Sequence, residues 1–236
     1  MKEYQNYLFD LYGTLVDVHT DEDKDLLWQR LCILLGTEGV YCTAQYLKEK
    51  YSTEVAEREK VAKAERGPWA EIDIEPVFAG IYADHGIKAD EGRIANLAKM
   101  FRLMSLEKLH TFPGAEQMLK RLKKAGKKVI LLSNAQTLFT MPELQALGLI
   151  PYFDGIIISS CEGRKKPDRG LYQLAVKRYG LDPAETVMVG NDDEADCWGA
   201  ANAGLDSMYV FTEQSPKRTK PLPGNCRLLN SIGDVF

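Results

Sequence analysis

Asp10 follows the apolar run Tyr7-Leu8-Phe9, and Gly13 comes three residues later. A buried strand that delivers a carboxylate to the rim of a sheet reads this way. Three later strand-like runs also end in polar groups: Val129-Ile130-Leu131-Leu132 runs into Ser133-Asn134, and Gly155 to Ser159 is followed by Lys165-Lys166-Pro167-Asp168. Thr186 to Val189 then leads into Gly190 and the loop Asn191 to Asp196, which holds Asp192, Asp193, Glu194 and Asp196. In open α/β sheets, ligands bind outside the carboxyl ends of the strands. A carboxylate, a hydroxyl, a lysine and an acidic loop meeting there suit covalent catalysis on an anionic substrate. Asp10 attacks, Ser133 and backbone amides hold the transferring group, and Lys166 offsets negative charge. The acidic loop suits a hard cation such as Mg²⁺, which favours oxygen ligands.

The elements that position these groups alternate. After a strand around Asn6 to Phe9, the section from Val18 to Leu109 carries helical patterns and no convincing strand. Thr20 reads as an N-cap followed by Asp21, Glu22 and Asp23, which suit the positive end of a helix. Leu26, Leu27, Leu31 and Leu34 then recur at helical spacing up to Gly36. Further helices are expected over 44–50, 54–65, 74–84 and 91–103. Beyond Pro113-Gly114, Met118, Leu119, Leu122 and Ala125 form an amphipathic stripe. Strands and helices then alternate to a strand over 207–211, with a helix over 196–203 and a short edge strand near Arg227-Leu228-Leu229. That alternation predicts an α/β fold with a mainly parallel sheet, interrupted by an all-helical insertion.

Composition limits the function. The chain has 236 residues, 45% apolar and 27% charged, with 30 basic and 34 acidic side chains and a net charge of −4. No basic excess points to nucleic acid, and no apolar run approaches the roughly 20 residues needed to span a bilayer. The N-terminal residues lack a signal-peptide core, so a cytoplasmic protein is expected. Cys32, Cys42, Cys161, Cys197 and Cys226 are scattered without metal-ligand spacing and read as free thiols. His19, His85 and His110 read as surface or cap residues.

Taken in order, the four segments resemble the haloacid dehalogenase (HAD) superfamily across nearly the whole chain. The motifs are Asp10-Leu11-Tyr12-Gly13-Thr14-Leu15, Ser133 after its strand, Lys166-Pro167-Asp168, and Gly190 to Asp196. The resemblance implies a Rossmann-like core of residues 1–17 and 107–236 with a helical cap over 18–106. It further implies an aspartyl-enzyme intermediate, with Asp10 as nucleophile, Thr14, Ser133 and Asn134 around the transferring group, and Lys166 holding charge. The superfamily's phosphatases place a second aspartate, an acid and base, where this chain has Tyr12. A phenol with pKa near 10 is a poor base at neutral pH. Tyrosine there is what the haloacid dehalogenases carry, and a departing halide needs no proton. The acidic fourth motif points the other way: uncompensated carboxylates would raise the pKa of Asp10, and Mg²⁺ removes that problem. Asp10, the Tyr12 carbonyl, Asn191 (where phosphatases have their main loop carboxylate), Asp192 and Asp196 are the implied ligands. Asp192, Asp193 and Glu194 equally suit the start of the next helix.

The expected function is therefore a Mg²⁺-dependent phosphatase acting on a small phosphorylated metabolite. The alternatives are a metal-independent 2-haloacid dehalogenase and a degenerate member that only binds its ligand. The sequence leaves the substrate and the oligomeric state open.

Overall fold

A computed structural model describes residues 2–236. In chain order its elements begin with β1 (Asn6–Phe9), β2 (Val16–Thr20), α1 (Asp25–Thr37), α2 (Ala44–Arg66), α3 (Glu75–Ala83), α4 (Glu91–Ser105) and β3 (Leu106–Thr111). They continue with α5 (Ala115–Lys124), β4 (Lys128–Ser133), α6 (Thr137–Ala146), β5 (Gly155–Ile158), α7 (Ser159–Glu162) and α8 (Arg169–Tyr179). The last are β6 (Thr186–Gly190), a π-helical turn Asp193–Trp198, α9 (Gly199–Asn202), β7 (Asp206–Val210) and β8 (Cys226–Leu229).

Six strands form one parallel sheet in the order β5-β4-β1-β6-β7-β8. The first strand is central, and successive connections run outward from it on both sides. The switch in direction lies at β1, where open α/β sheets form their ligand crevice. Both sheet faces are covered, which is why its strands are continuous apolar runs. Tyr7 and Phe9 pack with Met118, Leu119 and Leu122 of α5 on one face. Leu8 packs with Leu171, Tyr172 and Ala175 of α8 on the other. The three α5 side chains are fully buried, each contributing about 1.5–3 kcal/mol of transfer free energy.

Helices α1 to α4 pack around a separate apolar cluster of Leu27, Trp28, Leu31, Tyr51, Phe78 and Phe101. The Phe101 ring lies 4.8 Å from Tyr51 and 5.5 Å from Trp28. Phe139 of α6 joins the same cluster, 6.1 Å from Phe101. The helical unit is therefore continuous with a helix that leaves the sheet.

Several local expectations are corrected. The section from Val18 to Leu109 includes strand structure: β2 and β3 pair antiparallel, from Val16↔Thr111 to Thr20↔Leu106, and carry the chain into and out of the helical unit. Thr20 ends β2, and the first helix starts at Asp25 with Lys24 before it. The two helices expected over 44–50 and 54–65 are one, because nothing between them breaks a helix; the Ser52 hydroxyl bonds back to the Lys48 carbonyl at 2.9 Å. The helix expected over 196–203 starts earlier, as a π-helical turn leading into α9.

Candidate active site

Three polar strand ends and the lysine loop converge; the fourth group, expected at a strand end, lies beyond α7. Asp10 follows β1, Ser133 ends β4, Asn191 follows β6, and Lys166 comes from the loop between α7 and α8. Lys166 is 2% exposed, and its Nζ donates to Asp10 Oδ1 and to Asp196 Oδ1, each at 2.7 Å. The Thr14 hydroxyl lies 3.0 Å from Asp10 Oδ2 and 3.2 Å from Asn191 Oδ1. With one proton, Thr14 donates to one of them at a time. Both oxygens of the proposed nucleophile therefore have a donor beside them.

Two glycines make this approach possible. A Cβ on Gly190 would meet Asp196 Oδ2 at 2.0 Å, so only glycine lets that carboxylate reach the site. Gly13 has a φ of +81°, and a Cβ there would meet the Asn191 amide nitrogen at 2.4 Å. The Gly in each motif is thus a clearance requirement of its own site.

The π-helical turn fixes the acidic loop. Asp192 Oδ1 accepts from the Glu194 and Ala195 amides at 2.9 and 2.8 Å, capping the turn. The Asp192 amide donates to Asp196 Oδ2 at 3.0 Å, and the Tyr172 hydroxyl donates to the Ala195 carbonyl at 2.5 Å. Asp192 therefore caps in part, as the sequence allowed, and Asp196 has both oxygens engaged.

Electrostatics follow from burial. Asp196 is pushed up to about 7 by desolvation, with Lys166 opposing and Asp10 adding to the rise. Burial works against the Lys166 ammonium, yet the two carboxylates hold its pKa above the ordinary value. With both carboxylates ionised, one lysine between them leaves the buried cluster with one net negative charge. Asn134 braces the lysine loop: its Nδ2 donates to the Lys166 carbonyl at 3.0 Å, and the Lys166 amide donates to Asn134 Oδ1 at 2.8 Å. Ser133 is buried, and its hydroxyl has no partner among the described residues. Leaving such a group unpaired costs about 1–3 kcal/mol, which an oxyanion accepting from it would offset.

The Tyr12 side chain points elsewhere. Its hydroxyl donates to Glu143 Oε2 at 2.5 Å and lies 3.1 Å from Thr140 Oγ1, both on α6. Glu143 Oε1 in turn accepts from Arg102 Nε of α4 at 2.6 Å. The Arg102 guanidinium stands over the Tyr12 and Phe139 rings, 5.7 and 5.5 Å from their centroids. Burial and then the Glu143 carboxylate push the phenol above its ordinary pKa. Sequence reasoning missed Arg102, Thr140 and Glu143, because no spacing connects α4 and α6 to residue 12. It also missed Gln136, whose Oε1 accepts from the Ile74 amide at 3.0 Å while its Nε2 donates to the Ile72 carbonyl at 2.9 Å.

A cavity of about 180 Å³ opens at Asp10, lined by Tyr12, Asn134, Lys166, Asn191, Asp192 and Asp196, with Gln214 and Pro216 from the loop before β8. Among the described residues no three acidic, histidine or cysteine side chains form a ready metal cage. The oxygens at the cavity (Asp10 carboxylate, Asn191 amide, Asp192 carboxylate) fit Mg²⁺ in kind, because that ion is held by one or two carboxylates and keeps several waters. The net negative charge of the cluster fits it too.

Residues 4–204 match the family model described as haloacid dehalogenase-like hydrolase. A glyceraldehyde 3-phosphate phosphatase from Methanothermobacter thermautotrophicus is 34% identical over 127 residues, covering 54% of this chain and 56% of that protein. This chain spans about half the length of such relatives. The pyrimidine 5'-nucleotidase PynA of Streptococcus pneumoniae is 25% identical over 230 residues, covering 93% and 89% of the two chains. In structure, a 2-haloacid dehalogenase from Pseudomonas syringae pv. Tomato DC3000 superimposes with a TM-score of 0.64 at 19% identity, covering 98% of this chain and 96% of that one. At that identity the likeness concerns the fold.

Proposed function

The chain belongs to the haloacid dehalogenase-like hydrolase family, and from that premise we propose a Mg²⁺-dependent phosphatase that acts on small phosphorylated metabolites through an aspartyl-phosphate intermediate. The observation that carries this reading is the Asp10 carboxylate, held by buried Lys166 on one oxygen with Thr14 beside the other. Relatives named as phosphatases of glyceraldehyde 3-phosphate, phosphoglycolate and phosphoserine support the substrate class. A core of 1–17 and 107–236, a cap of 18–106 and a cytoplasmic location belong to the same reading. The separate apolar cluster of α1 to α4 supports the cap.

In this mechanism a carboxylate oxygen of Asp10 attacks phosphorus, and the bond from phosphorus to the leaving oxygen breaks. Water then attacks the phosphoryl group, freeing phosphate and restoring the carboxylate. Lys166 neutralises charge beside the attacking oxygen, and Ser133 donates to a phosphoryl oxygen. Asn134 acts through Lys166, whose loop it braces. Asp10, the Tyr12 carbonyl, Asn191 and Asp192 would hold Mg²⁺, whereas Asp196, also expected as a ligand, has its oxygens engaged by Lys166 and the Asp192 amide and would contribute charge through Lys166. Bound there, the ion supplies Lewis-acid stabilisation of phosphoryl charge.

Tyr12 favours a second reading, a metal-independent 2-haloacid dehalogenase. Its hydroxyl is committed to Glu143, and a halide leaves without a proton. One experiment separates the two: phosphate esters and 2-haloacids are offered with Mg²⁺ and with EDTA. Phosphate release abolished by EDTA supports the phosphatase. Halide release unaffected by EDTA, without phosphate release, replaces it with the dehalogenase. Asp10→Asn is expected to lower turnover by about 10³-fold or more; unchanged turnover would remove Asp10 as the nucleophile.

A further inference from the structure

The fold brings four of the five cysteines into two close pairs that their positions in the chain conceal. Cys197 and Cys226 sulfurs lie 3.6 Å apart, as do those of Cys32 and Cys42. All five thiols are free. The first pair adjoins the site. Cys197 is fully buried in the π-helical turn, one residue after Asp196, and Cys226 is half-buried at the start of β8. Ser207 is the cross-strand neighbour of Cys226, and its buried hydroxyl has no hydrogen-bond partner among the described residues. The stretch between the two cysteines holds Gln214 and Pro216, which line the cavity at Asp10.

We propose that Cys197 and Cys226 form a redox modification site, at which a peroxide closes a reversible disulfide and lowers the activity of the adjoining site. The loss of activity rests on the phosphatase reading, whereas the bond does not. The Cys226 thiol gives its proton to water, and its sulfur attacks one oxygen of hydrogen peroxide. The O–O bond breaks, hydroxide leaves and takes up a proton, and a sulfenic acid remains. The Cys197 sulfur then attacks the Cys226 sulfur, the S–O bond breaks, and the hydroxyl leaves as water with the Cys197 proton. Two thiols are oxidised to one disulfide while one peroxide is reduced to two waters. Cys226 is the first nucleophile because it is the more accessible of the two and the thiolate is the reactive form.

The bond reaches the site through one peptide link. A disulfide is about 2.05 Å long, so sulfurs now 3.6 Å apart must close by about 1.5 Å. Asp196 is attached to the moving residue, and its two oxygens are fixed by Lys166 and by the Asp192 amide. A misplacement of about 1 Å near reacting groups can cost about 10²-fold in rate. A dithiol reductant reverses the bond by thiol exchange.

The test treats the full chain, with Mg²⁺ present, with hydrogen peroxide, and follows non-reduced peptide masses and p-nitrophenyl phosphate hydrolysis together. We expect a linked peptide pair carrying Cys197 and Cys226, short of two hydrogens. Activity should fall about tenfold or more in step with it and return on adding dithiothreitol. Cys226→Ser should keep its activity under peroxide, while Cys161→Ser and Cys32→Ser should lose it as the parent does. Absence of the linked pair, at peroxide levels that oxidise exposed Cys161, overturns the site. A link that forms without changing turnover overturns its effect on activity. If the untreated protein hydrolyses no phosphate ester, the phosphatase reading fails on its own, and the peptide masses still decide the bond.

Discussion

At the scale of single residues, Asp10 and Tyr12 have separate fates two positions apart. Asp10 faces Lys166 and Thr14, whereas the Tyr12 hydroxyl turns to Glu143. Tyr12→Phe should therefore lower turnover by less than about tenfold, since a true general acid supplies about 10²–10⁴-fold; steady-state kinetics on p-nitrophenyl phosphate would show it. Because no proton reaches the leaving oxygen from Tyr12, acetyl phosphate and aryl phosphates should turn over faster than alkyl phosphates. Equal rates across that series would return Tyr12, or another group, to the role of acid. Gly190 offers a steric test. A Cβ there meets Asp196 Oδ2 at 2.0 Å, so Gly190→Ala should cost about 1–3 kcal/mol of stability and about 10²-fold in rate. Circular dichroism would show whether the fold survives.

At the scale of elements, Arg102 of α4, Glu143 of α6 and Tyr12 after β1 join the helical unit to the sheet. The Arg102 and Glu143 side chains are 15% and 8% exposed, so solvent screens their attraction little. Removing one partner of a buried pair leaves an uncompensated charge and costs about 3–5 kcal/mol. Arg102→Met should lower the urea midpoint accordingly, and adding Glu143→Leu should recover part of the loss, the coupling being read from a double-mutant cycle. Additive losses would show that the two side chains do not interact. Gln136 makes a second tie through two hydrogen bonds to residues 72 and 74.

For the whole molecule, stability depends on the burial of both sheet faces and on a few polar clips. Asp154 is one: its Oδ2 accepts from the Val129 amide at 2.8 Å, and Lys123 lies beside it. Burial alone would raise this carboxyl, but those partners hold its pKa below the ordinary value. A carboxyl with a depressed folded pKa contributes stability above its unfolded value near 3.9, and loses it as pH falls through the folded pKa. Asp154→Asn should therefore destabilise by about 1 kcal/mol at neutral pH, and the difference should vanish in strong acid. Thermal melts of both proteins between pH 7 and about pH 2 would show a constant gap if Asp154 is not the group responsible.

The sequence by itself determined the parallel sheet and the polar groups, three at strand ends and one in the lysine loop, that meet at its edge. Apolar runs buried on both faces and the glycines beside the polar groups are local signals, visible without knowing what packs on what. It also showed the helical character of the insertion, though not its β2–β3 ribbon. Those strands carry exposed and half-buried positions whose pairing partners lie some ninety residues apart in the chain. Only the tertiary structure decided which way Tyr12 points, that one lysine serves two carboxylates, and that Cys197 faces Cys226. Each of those is a contact between residues far apart in the chain, and no periodicity records such a contact.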